Sequence, residues 1–246
     1  MALNIGTQNE INRVKWLEAA LKKIPKGLTI LDAGAGDCQF KKFCRHLNYI
    51  SQDFAQYEGN GDIGLQTGQW DNSKLDIISD ITSIPLEDNS VEAIMCTEVF
   101  EHIPNPVLAL KEFSRLIKPG GYLIITAPFT SLTHFAPYHF ASGLSRFFYE
   151  HHLPLNDFTI DDLNLNGNYF EFIGQEIRRI PSIANKYASQ KLNFFERRIL
   201  GLNLRLLQKL SNTEKKSSEL LCFGIHVFAR KNASGIAENS NAPKSV

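Results

Sequence analysis

The feature that most constrains the fold of this chain is a set of short apolar segments of strand length, separated by stretches long enough to hold a helix. The first, "LTILDA", is a continuous apolar run of the kind found in strands buried on both faces of a sheet. Four further predicted strands follow it: "YISQD", "LDIISDI", "VEAIMCTEV" and "KPGGYLIITAP". Strands that alternate with helices at this spacing predict a doubly wound α/β fold with a mostly parallel sheet.

Helical periodicity fills much of the remaining sequence. Apolar residues recur at helical spacing in residues 8–23, "NPVLALKEFSRLI" is typical of a helix, and we expect another helix at residues 39–47. In the second half, "YFEFIGQEIRRI" (residues 169–180) and "CFGIHVFAR" (residues 222–230) are interpreted as the last two strands. The segment between them carries good helix formers, so residues 183–213 are predicted to form a helical insertion.

These assignments divide the chain into three parts. Residues 1–27 carry an N-terminal helix, and residues 28–231 form one domain. Residues 232–246 have no apolar period and are expected to be disordered. A chain of 246 residues is long enough for a single α/β domain with a substantial core.

Composition and charge limit the class of partner. Lys+Arg and Asp+Glu both number 26, so the formal net charge is zero, and the lack of a basic run counts against a nucleic-acid partner. No segment approaches the roughly 18 unbroken apolar residues of a membrane span, and the first residues lack the pattern of a signal peptide. The four cysteines are not spaced like metal ligands. We therefore expect a cytoplasmic protein without a membrane partner.

The loop after the first strand, "DAGAGDC", is placed where open α/β sheets bind ligands. No Gly-Lys-Ser/Thr follows Gly34 or Gly36, so it is not a phosphate loop, and the third glycine of a dinucleotide fingerprint is absent. Asp32 and Asp37 would repel a pyrophosphate but attract a cation. S-adenosylmethionine is an adenosine that bears a sulfonium and no phosphate, and it suits such a loop. The competing interpretation is that the glycines only form a tight turn.

Asp53 ends the second strand, where a carboxylate can accept hydrogen bonds from ribose hydroxyls. This position suits NAD and S-adenosylmethionine equally, so it supports an adenosine ligand without choosing between them.

Residues 28–128 resemble the class I S-adenosylmethionine-dependent methyltransferases, and in particular the type 11 methyltransferase domain. "LDAGAGDCQF" is similar to the first motif of that family, acid-x-Gly-x-Gly. "EHI" after the fourth strand and "LIKPGG" before the fifth are the most specific later parts. One departure is Cys38, where family members commonly have a third glycine. The resemblance implies a Rossmann-like, seven-stranded, mostly parallel sheet whose last strand is antiparallel.

The resemblance also implies a set of cofactor-binding residues at the strand ends. They are Asp32, Gly34, Gly36, Asp53, Asp80, Ile81 and Glu98. Asp32, Gly34 and Gly36 would line the methionine moiety, and Glu98 would lie beside its end. Asp53 would bind the ribose, Asp80 the adenine amino group, and Ile81 would pack near the adenine ring. An alternative role for Asp80 is to cap a turn, which is a common use of aspartate.

Methyl transfer from a sulfonium is an in-line displacement, so proximity and alignment supply most of the acceleration. A general base is needed only for an acceptor such as a hydroxyl. The candidates are His102 after the fourth strand, and His134 and His139 on an aromatic-rich segment expected to cover the site. His102 could instead brace its loop, and the aromatic residues could belong to the core. His134 and His139 lack the helical i, i+4 register of paired metal ligands, so no metal site is expected.

The sequence thus predicts a methyltransferase that acts on a small molecule or sugar, with glycans and secondary metabolites as substrate classes. A hydroxyl is the expected acceptor, followed by nitrogen or carbon, and a homodimer is compatible with the chain. Two alternatives remain open: a nicotinamide-dependent oxidoreductase, and a non-catalytic member of the fold that binds the cofactor or a partner.

Overall fold

The computed structural model describes residues 3–57, 59, 63–65, 68 and 71–233. Its helices and strands alternate along much of the chain, in line with the sequence pattern. The helices are α1 (Asn9–Leu21), α2 (Pro106–Leu116), α3 (Arg146–Leu155), α4 (Tyr169–Tyr187) and α5 (Phe194–Ser211). The strands are β1 (Thr29–Ala33), β2 (Asn48–Asp53), β3 (Ile77–Ile78), β4 (Val91–Thr97), β5 (Ile117–Pro128), β6 (Phe158–Asn166) and β7 (Gly224–Lys231).

The described strands form a seven-stranded sheet in the order β3-β2-β1-β4-β5-β7-β6. Strands β1 to β5 pair in parallel, whereas β7 runs antiparallel to both β5 and β6. This arrangement confirms the predicted mostly parallel sheet with an antiparallel last strand. The strand order reverses between β1 and β4, and ligands of such sheets bind beyond the carboxyl ends of the strands at this point.

Two buried clusters cover the two faces of the sheet. Neighbouring residues of β1 contribute to different clusters, Leu31 to one and Ile30 to the other, because successive strand side chains point to opposite faces. Helix α1 covers one face through Leu17 and Leu21, which are both fully buried. Helix α2 packs on the other face through Phe113. Among the described residues, no helix is long and apolar enough to cross a membrane.

The prediction of a strand at residues 169–180 is wrong, because this segment begins helix α4. The Asn168 side chain accepts a hydrogen bond from the Glu171 N–H and so caps the helix. The strand that precedes β7 is β6, "FTIDDLNLN", whose two consecutive acids hide its alternation. Helices α4 and α5 confirm the insertion between the last two strands, although α4 begins at Tyr169, earlier than residue 183.

The helix expected at residues 39–47 is also absent from the structure. These residues form turns and one short 3₁₀ segment, Lys41–Phe43. Cys38, just before them, has a φ of +59°, a left-handed conformation that an α-helix cannot contain.

At the other end of the domain, the Asn232 N–H donates to the Asp157 carbonyl at 2.8 Å, so this residue is still tied to the fold. The rest of the predicted disordered tail, from residue 234 onwards, lies outside the described residues.

Candidate active site

A cleft of about 910 Å³ opens beyond the carboxyl ends of β1, β2 and β4. Helix α1 borders it on one side, and residues 129–145, here called the lid segment, border it on the other. Five of the seven predicted cofactor residues line this cleft, namely Gly34, Asp53, Asp80, Ile81 and Glu98. The other two, Asp32 and Gly36, are not among the residues that line it.

The glycine loop is held by the end of β2. Gly34 and Ala35 donate their N–H groups to the Gln52 carbonyl at 2.8 and 2.9 Å, and the Gly36 N–H donates to Asp53 Oδ2 at 3.0 Å. Gly34 has a φ of +81°, and a Cβ there would stand 2.5 Å from Val99 Cγ2. Glycine is therefore required at position 34 both by the backbone conformation and by close packing.

Asp32 is buried beneath this loop, with 2% of its surface exposed. The Tyr49 hydroxyl donates to Asp32 Oδ2 at 2.5 Å. Burial raises the pKa of Asp32 to about 7; the Tyr49 hydrogen bond opposes the rise, and the charge of Asp53 adds to it. The Asp32 side chain is thus bound to Tyr49 of β2, and it is not among the residues that line the cleft.

Two aspartates at the strand ends are oriented by the backbone that follows them. Asp53 accepts the Ala55 N–H on Oδ1 at 3.0 Å, in addition to the Gly36 N–H on Oδ2. Asp80 Oδ1 accepts both the N–H and the hydroxyl of Thr82 at 2.7 Å. The turn-capping role of Asp80 therefore exists, and it leaves Oδ2 outside that turn on a residue that lines the cleft.

Glu98 is held in a strained conformation at the end of β4. Its φ is +56°, which is uncommon for a residue other than glycine and is often found at functional sites. Its Oε1 accepts the Thr126 hydroxyl at 2.9 Å, and its Oε2 pairs with Arg13 Nη1 at 2.8 Å. Arg13 lies on α1, and its role could not be predicted from the sequence because an arginine on an amphipathic helix is ordinary.

The cleft is strongly acidic. The carboxylates that line it are Glu10, Asp37, Asp53, Asp80 and Glu98. Arg13 is the one arginine or lysine among the described lining residues, so carboxylates exceed these cations by four. Such a cavity favours a cationic ligand and disfavours a phosphate.

The structure brings the three predicted histidines together at the lid end of the cleft. The His102 ring lies 4.7 Å from His134 and 6.0 Å from His139, and the latter two are 5.0 Å apart, measured between ring centroids. His102 Nδ1 is 2.6 Å from the Tyr138 carbonyl, so its N–H donates there and braces the lid segment. His134 and His139 do not lie on a helix, so the argument from helical register does not apply to them.

Glu101 lies under this histidine cluster with 1% of its surface exposed. Burial raises its pKa, and the facing His134 partly offsets the rise. Burial and the neighbouring His134 lower the pKa of His102 to about 3, so its imidazole is neutral at pH 7 and a weak proton acceptor. Burial opposes protonation of His134, but its contacts with Glu101 and the Leu132 carbonyl outweigh burial and raise its pKa.

Aromatic rings form the wall between the two ends of the cleft. Phe54 meets Tyr138 edge to face at 4.9 Å, and Phe135 lies 4.5 Å from the His102 ring. Phe140, on the lid segment, is 53% exposed. These aromatic residues line the cleft, so the alternative that they belong to the core does not hold for them. The aromatic composition of the lid segment was the signal in the sequence, whereas Phe54 carried none.

Comparisons with known proteins agree with this architecture. Residues 31–125 match the family model described as a methyltransferase domain. An uncharacterized methyltransferase of Mycobacterium sp. (strain KMS) is 30% identical over 153 residues, which are 57% of this chain and 58% of that protein. The ubiquinone biosynthesis O-methyltransferase of Dechloromonas aromatica (strain RCB) is 27% identical over 117 residues, 46% of this chain and 49% of that protein. The chain thus spans about half the length of these curated relatives.

Among solved structures, the chain resembles geranyl diphosphate C-methyltransferase from Streptomyces coelicolor A3(2), in complex with Mg²⁺, geranyl diphosphate and S-adenosyl-L-homocysteine. The TM-score is 0.54 at 12% sequence identity, and the match covers 90% of this chain and 79% of that one. At this identity the likeness concerns the fold.

Proposed function

We propose that this chain, which carries a class I S-adenosylmethionine-dependent methyltransferase domain of type 11, transfers a methyl group from S-adenosylmethionine to a hydroxyl of a small molecule. The observation that carries the proposal is the excess of carboxylates over arginine and lysine in the cleft at the switch point of the sheet. S-adenosylmethionine brings a sulfonium and an ammonium but no phosphate, so it complements this charge. The Streptomyces enzyme of the same fold was solved with S-adenosyl-L-homocysteine.

The strand-end residues are suited to the parts of this cofactor. We assign the ribose to Asp53, the adenine amino group to Asp80 Oδ2, and the adenine ring to Ile81. Glu98 is assigned to the methionine end, where Arg13 holds its carboxylate in place. Gly34 lines the cleft, and because it has no Cβ the loop backbone lies close to Val99, whereas Asp32 and Gly36 are not among the lining residues.

The acceptor is assigned to the lid end of the cleft. Aromatic walls and a few polar groups are typical of small-molecule pockets. His102, His134 and His139 would surround the reacting group, and imidazole nitrogens beside a carboxylate suit a hydroxyl. The Dechloromonas relative is an O-methyltransferase of ubiquinone biosynthesis, which agrees with an oxygen acceptor. Glycans and secondary metabolites remain the proposed substrate classes.

The alternatives have less support. A nicotinamide-dependent oxidoreductase would place a pyrophosphate among the acids of the cleft, which would repel it. A non-catalytic member of the fold needs no polar cluster at the acceptor end, yet three histidines and a carboxylate meet there.

Calorimetric titration with S-adenosylmethionine, S-adenosylhomocysteine and NADH tests the cofactor. We expect the first two to bind, and Asp53→Ala to weaken them by about 1–3 kcal/mol through lost hydrogen bonds. Asp161→Ala is the matched control, because Asp161 pairs with Arg230 on β7 and is not among the residues that line the cleft. Binding of NADH without S-adenosylmethionine would contradict the proposal. Transfer of labelled methyl groups into a metabolite extract then tests turnover.

A further inference from the structure

We propose that His102, His134 and His139, with Glu101 beside them, bind a divalent transition-metal ion at the acceptor end of the cleft. The donor set of three imidazoles and one carboxylate favours Zn²⁺. This inference deepens the proposed function, because the ion would lie where the acceptor hydroxyl is assigned.

The ligand atoms of the three histidines already converge. One ring nitrogen from each lies within 4.8 Å of the other two. With zinc–nitrogen bonds of about 2.0–2.1 Å, tetrahedral ligand atoms stand about 3.4 Å apart. The cluster therefore needs an inward shift of roughly 1 Å to reach coordination distance, which small side-chain rotations can supply.

Two of the imidazoles are oriented as metal ligands usually are. His102 Nδ1 and His134 Nδ1 each face a backbone carbonyl, that of Tyr138 at 2.6 Å and that of Leu132 at 2.9 Å. A carbonyl only accepts, so in the neutral form of each ring Nδ1 carries the proton and Nε2 keeps the lone pair that a metal ion would use. Histidine ligands commonly donate their second N–H to a carbonyl in this way.

Glu101 supplies an independent observation that points to a cation. It is almost fully buried, and within the described part of the chain neither carboxylate oxygen has a hydrogen-bond partner. Its Oε1 lies 3.6 Å from His102 Nε2 and 3.7 Å from His134 Nε2. These separations are long for hydrogen bonds but close to the edges of a coordination tetrahedron. A buried carboxylate without partners is costly, and a bound cation would remove that cost.

His139 completes the set from the lid segment. Its Nδ1 is buried and has no hydrogen-bond partner among the described residues. One nitrogen of the His139 ring lies within 4.8 Å of a ring nitrogen of each of the other two histidines. Three histidines would leave a coordination position for Glu101 or for an acceptor oxygen, as in catalytic zinc sites.

An ion here would act as a Lewis acid on the acceptor. It would bind the acceptor hydroxyl and lower its pKa, so that the hydroxyl proton leaves to solvent. The acceptor oxygen then forms a bond to the methyl carbon while the bond between that carbon and sulfur breaks. The electron pair of the broken bond stays on sulfur, which gives S-adenosylhomocysteine. No oxidant or reductant is required.

Titration of the chelator-treated full chain with Zn²⁺ alone tests the site by calorimetry. Co²⁺ absorption then reports the coordination geometry. We expect one Zn²⁺ to bind per chain. Both His134→Gln and Glu101→Gln should lower the affinity for Zn²⁺, and for His134→Gln the loss should be on the order of 100-fold or more. The matched control is His151→Gln, because His151 is exposed on α3 outside the cluster and should leave zinc binding unchanged.

S-adenosylhomocysteine binding and thermal unfolding are measured on every variant, and His139→Gln replaces His134→Gln if the latter does not fold. Zinc binding that is absent, or equal in the wild type and the folded histidine variant, would overturn the metal site. If S-adenosylhomocysteine still binds in that case, the proposed methyltransferase function stands without the metal. If zinc binds but S-adenosylhomocysteine does not, the proposed function fails instead.

Discussion

The buried carboxyl of Asp32 makes the stability of the protein depend on pH in a way that one substitution can isolate. Asp32 is 2% exposed, and burial raises its pKa from 3.8 to about 7 despite the hydrogen bond from Tyr49. In Asp32→Asn the side chain keeps its shape and an oxygen that can accept the Tyr49 hydroxyl, but it cannot ionise. The variant therefore removes the titration with little change in packing.

The direction of the effect follows from proton binding. In the unfolded chain the carboxyl ionises at a lower pH than in the folded protein, so the folded state holds more protons between about pH 4 and pH 7. The free energy of unfolding therefore falls as the pH rises through this range. A shift of about three units corresponds to about 4 kcal/mol, of which about 2.6 kcal/mol accrues between pH 5 and pH 8.

Urea unfolding of the wild type and Asp32→Asn at pH 5 and pH 8 measures this directly. We expect Asp32→Asn to gain about 2–3 kcal/mol relative to the wild type on going from pH 5 to pH 8. Other titrating groups are common to both proteins and largely cancel in this double difference. Equal pH dependence of the two proteins, at matched m-values, would refute the assignment of a buried, reluctantly ionised Asp32.

Two further substitutions test the packing around the cleft. Gly34→Ala should lower the free energy of unfolding by roughly 1–3 kcal/mol more than Gly120→Ala. Both glycines have a φ near +80°, but only the new Cβ at position 34 would meet Val99, so equal losses in urea unfolding would contradict the contact. Tyr149→Phe should stabilise by about 1 kcal/mol, because the fully buried Tyr149 hydroxyl has no hydrogen-bond partner among the described residues. A lower melting temperature for this variant would show that the hydroxyl is paired.

The hydrophobic pattern predicted the secondary structure correctly where a segment had a single clear pattern. The apolar runs of β1 and β4 are buried on both faces, and the structure confirms both strands. The pattern failed where two signals competed. Residues 169–180 mix aromatic and β-branched residues with polar ones, a composition that also suits a strand. The helix is evident only in the structure, where Asn168 caps its first turn and Arg178 donates a hydrogen bond to the Ile5 carbonyl. Residues 39–47, which follow the left-handed Cys38, form turns and one short 3₁₀ segment in place of the predicted helix.

Some residues of the candidate site could likewise be predicted from the sequence, and others could not. Asp53 ends β2, Glu98 directly follows β4, and Asp80 lies two residues beyond β3, so the sequence could place them at one edge of the sheet. Arg13 comes from a helix that precedes the sheet, and His134 from an irregular segment after β5. Their distances to Glu98 and to Glu101 depend on how these elements pack. No sequence period encodes such contacts.

By itself, the sequence determined the class of fold and the sign of the cleft's charge. Strand burial and strand-end acids are properties of short segments, and parallel strands bring their carboxyl ends together. Only the tertiary structure decided that Asp32 is buried and that three histidines meet beside a buried Glu101 whose carboxylate oxygens have no hydrogen-bond partner among the described residues. Both features depend on which distant segments of the chain pack against each other, and such contacts form only in the folded protein.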